Sequence, residues 1–198
     1  MRKAIIIGGG GHARVIASMV RGEVELVTTT PASEDEVLQR CAARQIEIYV
    51  GIGRNRDRQR IADKLRSLGA RLPPCVAAAA FVAGDAEIGD ATVLCPGSVV
   101  GAKAMVGFAC IVNTLSSIDH DCRLGDYTQV TAGVTLGGGV QIGRDGFLGI
   151  KSAVIPGLTL GDGVVVMAGS VVTKDVPSSV MVGGSPAHLV RQLDAETR

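Results

Sequence analysis

The sequence has no tryptophan and only two tyrosines and three phenylalanines among its 198 residues. It also lacks an excess of charge of either sign, because 20 basic and 19 acidic side chains leave a formal net charge of +1. With so few aromatic side chains available, we expect a thin, aliphatic core. A nearly neutral chain exerts no overall attraction on nucleic acid or on acidic membranes, so any bound anion must be held locally.

The five cysteines are odd in number and form no CxxC pair, which favours free thiols in a reducing compartment. No apolar run approaches the roughly 18 residues that span a bilayer. Near the start, glycines interrupt the apolar stretch of residues 4–7, which is shorter than the apolar region of about 7–15 residues in a signal peptide. These absences predict a cytoplasmic protein.

A period of six residues runs through the second half of the chain. From Val76 to Val172, every sixth residue is Val, Ile or Leu, for seventeen consecutive positions. A second series, four residues after each position from Ile88 on, consists of small side chains or valine, with Leu158 as the one exception. Neither the 3.6-residue turn of an α-helix nor the two-residue repeat of a strand explains this period.

A backbone wound around a triangular prism, with one hexad per face, explains the period of six. Each hexad then turns one large aliphatic and one small residue inward, and three hexads make an 18-residue coil. Glycines that directly follow the aliphatic positions, such as Gly125 and Gly137, are expected to relieve crowding at the corners. Adjacent coils pair as parallel strands, so the pattern predicts a parallel β-helix of hexapeptide repeats.

The first seventy residues alternate apolar strands with helices, which predicts a small parallel α/β domain of Rossmann-like type. Ser33 is the expected N-cap of the second helix, with Glu36 completing a capping box, and Gly69 ends the third helix. Two consecutive prolines, residues 73–74, mark the linker to the repeats. We therefore predict an α/β domain at residues 1–72 and a β-helix at residues 73–198.

Residues 8–13, GGGGHA, match the pattern G-x-G-x-x-A between the first strand and the first helix. Bare amides at a helix N-terminus can approach a pyrophosphate, although a tight turn would leave the same pattern. The acid that would bind a ribose after the second strand is missing, since residues 28–30 are all threonine. Together with the small size of the domain, this argues against a dehydrogenase.

The chain has three histidines, and only His120 lies within the hexads. A zinc site of the β-helical carbonic anhydrase kind needs three histidines on neighbouring hexads, so the count excludes it and no metal is expected. Since Ile118 and Cys122 take the inward positions of its hexad, His120 is predicted to point outward near a corner. His188 is interpreted as a surface residue.

His120 has the surroundings of a general base. Asp119 and Asp121 flank it, and either carboxylate could orient the ring and raise its basicity. One coil further on, at residue 138, a glycine amide directly above the ring could stabilise an oxyanion, although a loose corner would explain the same glycines. No nucleophilic side chain pairs with His120, so direct transfer is predicted rather than a covalent intermediate.

Four segments resemble a known family: residues 113–114 (NT), 118–122 (IDHDC), 137–143 (GGGVQIG) and 183–187 (GGSPA). They are similar to those of the PglD/NeuD-type sugar acetyltransferases, in the left-handed β-helix acyltransferase superfamily. The resemblance covers nearly the whole chain. It implies a left-handed coil, acetyl-CoA as co-substrate, and a homotrimer with active sites between subunits. It also implies N-acetylation of a nucleotide-linked amino sugar, such as a 4-amino-4,6-dideoxy sugar.

The resemblance also implies roles for individual residues. His120 would be the general base, Asp121 its support, and Gly138 the oxyanion donor and an acetyl-CoA contact, with Ile150 and Ala168 along the pantetheine arm. The implied substrate-binding residues are Gly9, Gly10, Gly11, His12, Gly53, Asn113 and Gln129.

The chain departs from the family pattern at two places. Gln129 stands where the family has a second histidine, so a two-histidine relay is not expected. The acidic pair at the end of the second strand is absent, which leaves the nucleotide base and the sugar open. Because the motifs do not separate amine from hydroxyl acceptors, O-acetylation of sialic acid or a related sugar stays an alternative. The second alternative is a non-catalytic β-helix that is used for assembly.

Overall fold

The computed structural model describes residues 3–194, so the predicted domain limits at residues 1 and 198 lie outside the described residues. The first part is a parallel sheet with the strand order β2-β1-β3, and helices connect its strands. Its elements are β1 (Lys3–Ile7), α1 (Gly11–Met19), β2 (Glu23–Val27), α2 (Glu34–Ala42), β3 (Glu47–Val50) and α3 (Asn55–Ser67). The predicted alternation of strands and helices is confirmed.

The two predicted helix-end signals have different outcomes. Gly69, with φ of +69°, follows α3 as expected, and the N–H of Ala70 donates to the carbonyl of Leu65 in a Schellman arrangement. The capping box at α2 is wrong. Ser33 has the helical values φ −113° and ψ 0°, and its hydroxyl lies 2.9 Å from Oγ1 of Thr30 instead of capping the helix. An N-cap side chain reaches the first turn from an extended backbone, which Ser33 does not have.

The second part is a parallel β-helix with two-residue strands on three faces. Face 1 contains β4 (Cys75–Val76), β7 (Val93–Leu94), β10 (Ile111–Val112), β13 (Gln129–Val130), β16 (Phe147–Leu148), β19 (Val165–Val166) and the closing hairpin of β21 (Val180–Gly184) and β22 (Ala187–Gln192). Face 2 contains β5 (Phe81–Val82), β8 (Val99–Val100), β11 (Ser117–Ile118), β14 (Thr135–Leu136), β17 (Ala153–Val154) and β20 (Val171–Val172). Face 3 contains β6 (Glu87–Ile88), β9 (Met105–Val106), β12 (Arg123–Leu124), β15 (Gln141–Ile142) and β18 (Thr159–Leu160).

The register between coils is 18 residues for every strand pair from β4 to β20, and it falls to 16 residues between β19 and β21. On face 1, Ile111 pairs with Val93 on one side and with Gln129 on the other. The same offset holds on faces 2 and 3, so no loop interrupts the coils. The predicted parallel β-helix is confirmed.

The interior of the β-helix consists of the predicted aliphatic and small side chains. Every aliphatic position of the six-residue series from Leu94 to Val172 is at most 4% exposed. The first position is an exception, because Val76 is 44% exposed. Val76 lies in the first coil, which has no coil beneath it, and periodicity alone does not reveal where a stack ends.

The glycines that follow the aliphatic positions serve a different purpose from the one predicted. The corners are instead made by residues two positions further on, which have φ between +51° and +77° at every sixth residue from Ala91 to Gly169. Many corner residues are not glycine, Lys103 and Tyr127 among them. A Cβ on Gly125 would lie 2.5 Å from the backbone nitrogen of Arg144 in the next coil. These glycines therefore permit close contact between coils.

The α/β part packs against the lower coils. Ile7, Leu38 and Leu65 share a buried cluster with Phe108 and Tyr127 of the β-helix. A second cluster joins α1 and β1 to the outward side chains of face 1, where Val93 is 1% exposed. Among residues 3–194, no helix has the length and apolar character required to cross a membrane.

The glycine contacts make a stability prediction. Gly125→Ala should destabilise the protein by about 1–3 kcal/mol, since the new methyl group meets backbone atoms that cannot rotate away. Gly84→Ala is the matched control, because a Cβ there has no atom within 4 Å. Thermal denaturation of both variants measures the difference. Equal melting temperatures would show that these glycines are not needed for coil spacing.

Candidate active site

His120 lies on the edge of the prism that joins face 2 to face 3, between β11 and β12. We call this edge the His120 edge. The imidazole is exposed, and so is the carboxylate of Asp121. Ile118 and Cys122 on either side are fully buried, as the hexad phase requires. The Cys122 thiol donates a hydrogen bond to the carbonyl of Gly137 at 3.2 Å, and burial raises its pKa, so it is not poised as a nucleophile.

Two carboxylates fix the position of His120. Nδ1 of the ring lies 2.7 Å from Oδ2 of Asp121, and the backbone N–H of His120 donates to Oδ1 of Asp119 at 2.7 Å. Asp121 is a corner residue with φ of +59°, so the coil geometry turns its carboxylate towards the ring. The hydrogen bond to Asp121, followed by the charge of Asp119, raises the pKa of His120 above its ordinary value.

The glycine at position 138 lies directly against the ring. A Cβ built on Gly138 would lie 2.5 Å from Nε2 of His120, so only glycine leaves the ring in this position. The neighbouring N–H of Gly139 donates to the His120 carbonyl at 2.8 Å, which holds the two coils in register. Nε2 therefore faces a bare stretch of backbone, while Nδ1 is occupied by Asp121.

The predicted acetyl-CoA and substrate residues lie in two other places. Asn113, Ile150 and Ala168 lie on the edge that joins face 1 to face 2, which we call the Ile150 edge. Ile150 is 55% exposed there, and Ala168 is one coil above it. The structure thus brings these three together along one edge, but not with His120 in the same chain.

The remaining predicted residues lie where the α/β part meets face 1. A cavity of about 550 Å³ opens there, between the N-terminus of α3 and the upper strands of face 1. Gly53 and Gln129 line it, and its other lining residues are Arg54, Asn55, Arg56, Gln59, Asp145, Phe147, Gly163 and Val165. The sequence did not predict these other lining residues, because they come together only through the packing of the two parts.

The glycine loop borders this cavity through His12. Gly9, Gly10 and Gly11 are exposed, and a Cβ on Gly53 would lie 3.9 Å from Cβ of His12. Nε2 of His12 is buried and has no hydrogen-bond partner among the described residues. Burial, with the nearby charge of Arg58, lowers the pKa of His12 to about 4. The imidazole is therefore neutral at physiological pH.

Comparison with known proteins shows which family has this fold. Residues 139–174 match the family model described as a hexapeptide repeat of succinyl-transferase. The acetyltransferase domain of PglB from Neisseria gonorrhoeae, solved with acetyl coenzyme A, is 30% identical over 96% of this chain and 99% of that one, with a TM-score of 0.89. A mutant of perosamine N-acetyltransferase from Caulobacter crescentus, solved with CoA and GDP-perosamine, is 32% identical over 96% and 97% of the two chains, with a TM-score of 0.88.

The chain belongs to the hexapeptide-repeat sugar acetyltransferases. WeeI from Acinetobacter baumannii, at 22% identity and a TM-score of 0.78, shares the fold over 96% of this chain. The predicted mixed fold, an α/β part followed by a left-handed β-helix, is confirmed for this sugar acetyltransferase. Within residues 3–194, no group of three or more His, Cys, Asp or Glu side chains is arranged to hold a metal ion.

The His120–Asp121 pair makes a prediction that does not depend on turnover. Asp121→Asn should lower the pKa of His120 towards 6.5, because it removes the charged acceptor that contributes most to the raised value. Asp119→Asn should lower it less. Titration of the imidazole by NMR measures both shifts. An unchanged pKa in Asp121→Asn would contradict the assigned hydrogen bond.

The lowered pKa of His12 leads to a prediction of how the stability of the protein depends on pH. Its pKa is about 4 in the folded chain and near 6.5 when unfolded, so between these values only the unfolded state binds the proton. The stabilisation of the folded state that depends on neutral His12 is fully present above pH 6.5, and it is lost as the pH falls to about 4. His12→Gln should reduce the loss of unfolding free energy in that window. Denaturant unfolding at pH 7.5 and 5 compares the two proteins; an equal loss in both would refute the burial of a neutral His12.

Proposed function

We propose that this protein transfers the acetyl group of acetyl-CoA to the amine of a nucleotide-linked amino sugar. The observation that carries the proposal is the exposed His120–Asp121 pair with Gly138 against its ring. An amine acceptor is favoured because the Caulobacter relative is a perosamine N-acetyltransferase solved with GDP-perosamine. A 4-amino-4,6-dideoxy sugar fits the same comparison, since perosamine is of that class.

The geometry supports direct transfer. The substrate nitrogen attacks the thioester carbon and forms the C–N bond, while the carbonyl electrons move to the oxygen. Nε2 of His120 accepts a proton from that nitrogen, with Asp121 on Nδ1 stabilising the imidazolium. The Gly138 N–H, which donates to no backbone carbonyl of the described residues, is assigned to the oxyanion. Cleavage of the C–S bond then releases CoA thiolate, which takes the proton from His120.

Substrate recognition is assigned to the cavity at face 1 and to the glycine loop. The loop amides at Gly9, Gly10 and Gly11, with neutral His12, can donate to phosphate oxygens at the N-terminus of α1. Gly53 and Gln129, which line the cavity, would contact the sugar. Ile150 and Ala168 on the Ile150 edge are assigned to the pantetheine arm, with Asn113 contacting the substrate nearby.

The site is incomplete in one chain, which supports a trimer with active sites between subunits. The cavity opens on face 1, whereas the His120 edge joins the other two faces, so a second copy must bring a base to the sugar. Face 2 has the composition of an interface. Its outward Phe81 and Val99 are 60% and 37% exposed, and Leu115 on the adjoining Ile150 edge is 71% exposed. Face 3, by contrast, presents mainly polar residues: Glu87, Met105, Arg123, Gln141 and Thr159.

We also place the protein in the cytoplasm. All five cysteines are free, and all five are buried. A chain with this many unpaired thiols is suited to a reducing compartment. The proposed co-substrate, acetyl-CoA, would be used there.

Thiol release from acetyl-CoA, measured with a panel of nucleotide amino sugars and sialic acids, tests this function. We expect turnover with the amino sugars. His120→Ala should lower kcat by about 10²–10⁴-fold without changing the oligomeric mass, since a positioned base contributes rate and not structure. His188→Ala, on exposed β22, is the matched control and should retain full activity.

Three results would overturn the proposal. Turnover with sialic acids alone would replace it with O-acetylation. Unimpaired activity in His120→Ala would remove the general base from the mechanism. Absence of turnover with every sugar, together with a stable oligomer, would favour the purely structural alternative.

A further inference from the structure

Arg58, in α3, is a fully buried cation at the junction of the two parts of the chain. Its guanidinium donates to two β-helix carbonyls, that of Ala109 from Nε and that of Tyr127 from Nη2, each at 2.8 Å. It also donates to the carbonyl of Gly53 at 2.9 Å and to Oδ1 of Asn55 at 2.8 Å. One side chain therefore joins the turn before α3 to two neighbouring coils.

The acceptors of Arg58 are all neutral. No carboxylate is among these acceptors, although the charge of Asp145 acts on the guanidinium. Burial lowers the pKa of Arg58 to about 10, which still leaves it protonated at neutral pH. A buried charge is costly unless it is fully hydrogen-bonded. The planar fork of arginine satisfies this requirement here, because its N–H groups reach acceptors both on the β-helix and at the start of α3.

Arg58 holds one wall of the cavity directly and the other through a neighbouring residue. Gly53 and Asn55 line the cavity on the α/β side, and Gln129, two residues beyond Tyr127, lines it on face 1. The guanidinium therefore ties the Gly53–Asn55 turn to the strand that carries Gln129. A second contact at the same junction, from the Tyr127 hydroxyl to Asp63 at 2.6 Å, involves neither Gly53 nor Asn55.

We propose that Arg58 is a positioning residue for the nucleotide-sugar site, which fixes the Gly53–Asn55 turn relative to face 1. The proposal rests on the function proposed above. It assigns to Arg58 the placement of the turn that lines the cavity. It assigns no contact with the reacting atoms, which lie at the His120 edge.

The test compares Arg58→Lys and Arg58→Gln with Tyr127→Phe as the matched control. Lysine keeps the charge but loses the fork, glutamine loses both, and Tyr127→Phe removes only the hydroxyl contact with Asp63. We expect the KM for the nucleotide amino sugar to rise about tenfold in Arg58→Lys and further in Arg58→Gln. The KM for acetyl-CoA and kcat should stay within about twofold. Tyr127→Phe should lower the melting temperature with an unchanged sugar KM.

Calorimetric Kd values for the same nucleotide amino sugars separate this inference from the proposed function. If the wild-type protein binds these sugars without acetylating them, the proposed function is refuted. The Kd values of the variants still test the positioning role of Arg58 in that case. A sugar Kd that is unchanged in both Arg58 variants, or raised equally in Tyr127→Phe, would refute the positioning role. So would loss of the folded state in both Arg58 variants, since Arg58 would then be needed for folding itself. A wild-type protein that neither binds nor acetylates them would overturn both proposals.

Discussion

From β4 to β20, each strand of the β-helix stacks on the strand 18 residues away, and this constraint determines both the core and the positions of the candidate catalytic residues. Ile118, Leu136 and Val154 occupy equivalent places on face 2, each paired with the next at the same register. A strand of only two residues cannot accommodate an inserted or deleted residue, so the spacing from one strand to the next stays at six residues. The same offset that buries these side chains places Gly138 against His120 on the outer surface.

The repeat could be predicted from the sequence because a buried aliphatic series is visible in residue types. The conformation of the corners was not visible in this way. Lys103, Asp121 and Tyr127 adopt positive φ because closure of the coil requires it, although their side chains do not favour that region. Glycines such as Gly125 instead permit close contact with the next coil. The sequence shows that glycine recurs at these positions. It does not show whether a position needs a positive φ or the absence of a Cβ.

The cavity and its supporting residue show a second limit of sequence reasoning. Arg58 donates mainly to backbone carbonyls, which every residue has, so its acceptors carry no sequence signature. The lowered pKa of His12 could not be predicted from the sequence either, because the burial that causes it arises only when α1 and α3 are packed on the β-helix. Motifs singled out the glycine loop and His120 along the chain, but they did not reveal that the candidate site residues lie in three separate places of the fold.

The state of the histidines favours a mechanism with a single base. His12 is held neutral by burial down to about pH 4, so it can donate or accept a hydrogen bond but does not exchange protons near neutral pH. Gln129 cannot carry a proton at all, and it lies in the cavity on face 1, away from the His120 edge of its own chain. His120 is exposed, oriented by Asp121 and raised in pKa, which suits a group that must take up a proton during transfer and return it afterwards. In the proposed mechanism the residues of the cavity therefore provide binding and shape alone, and proton transfer is confined to one edge of the prism.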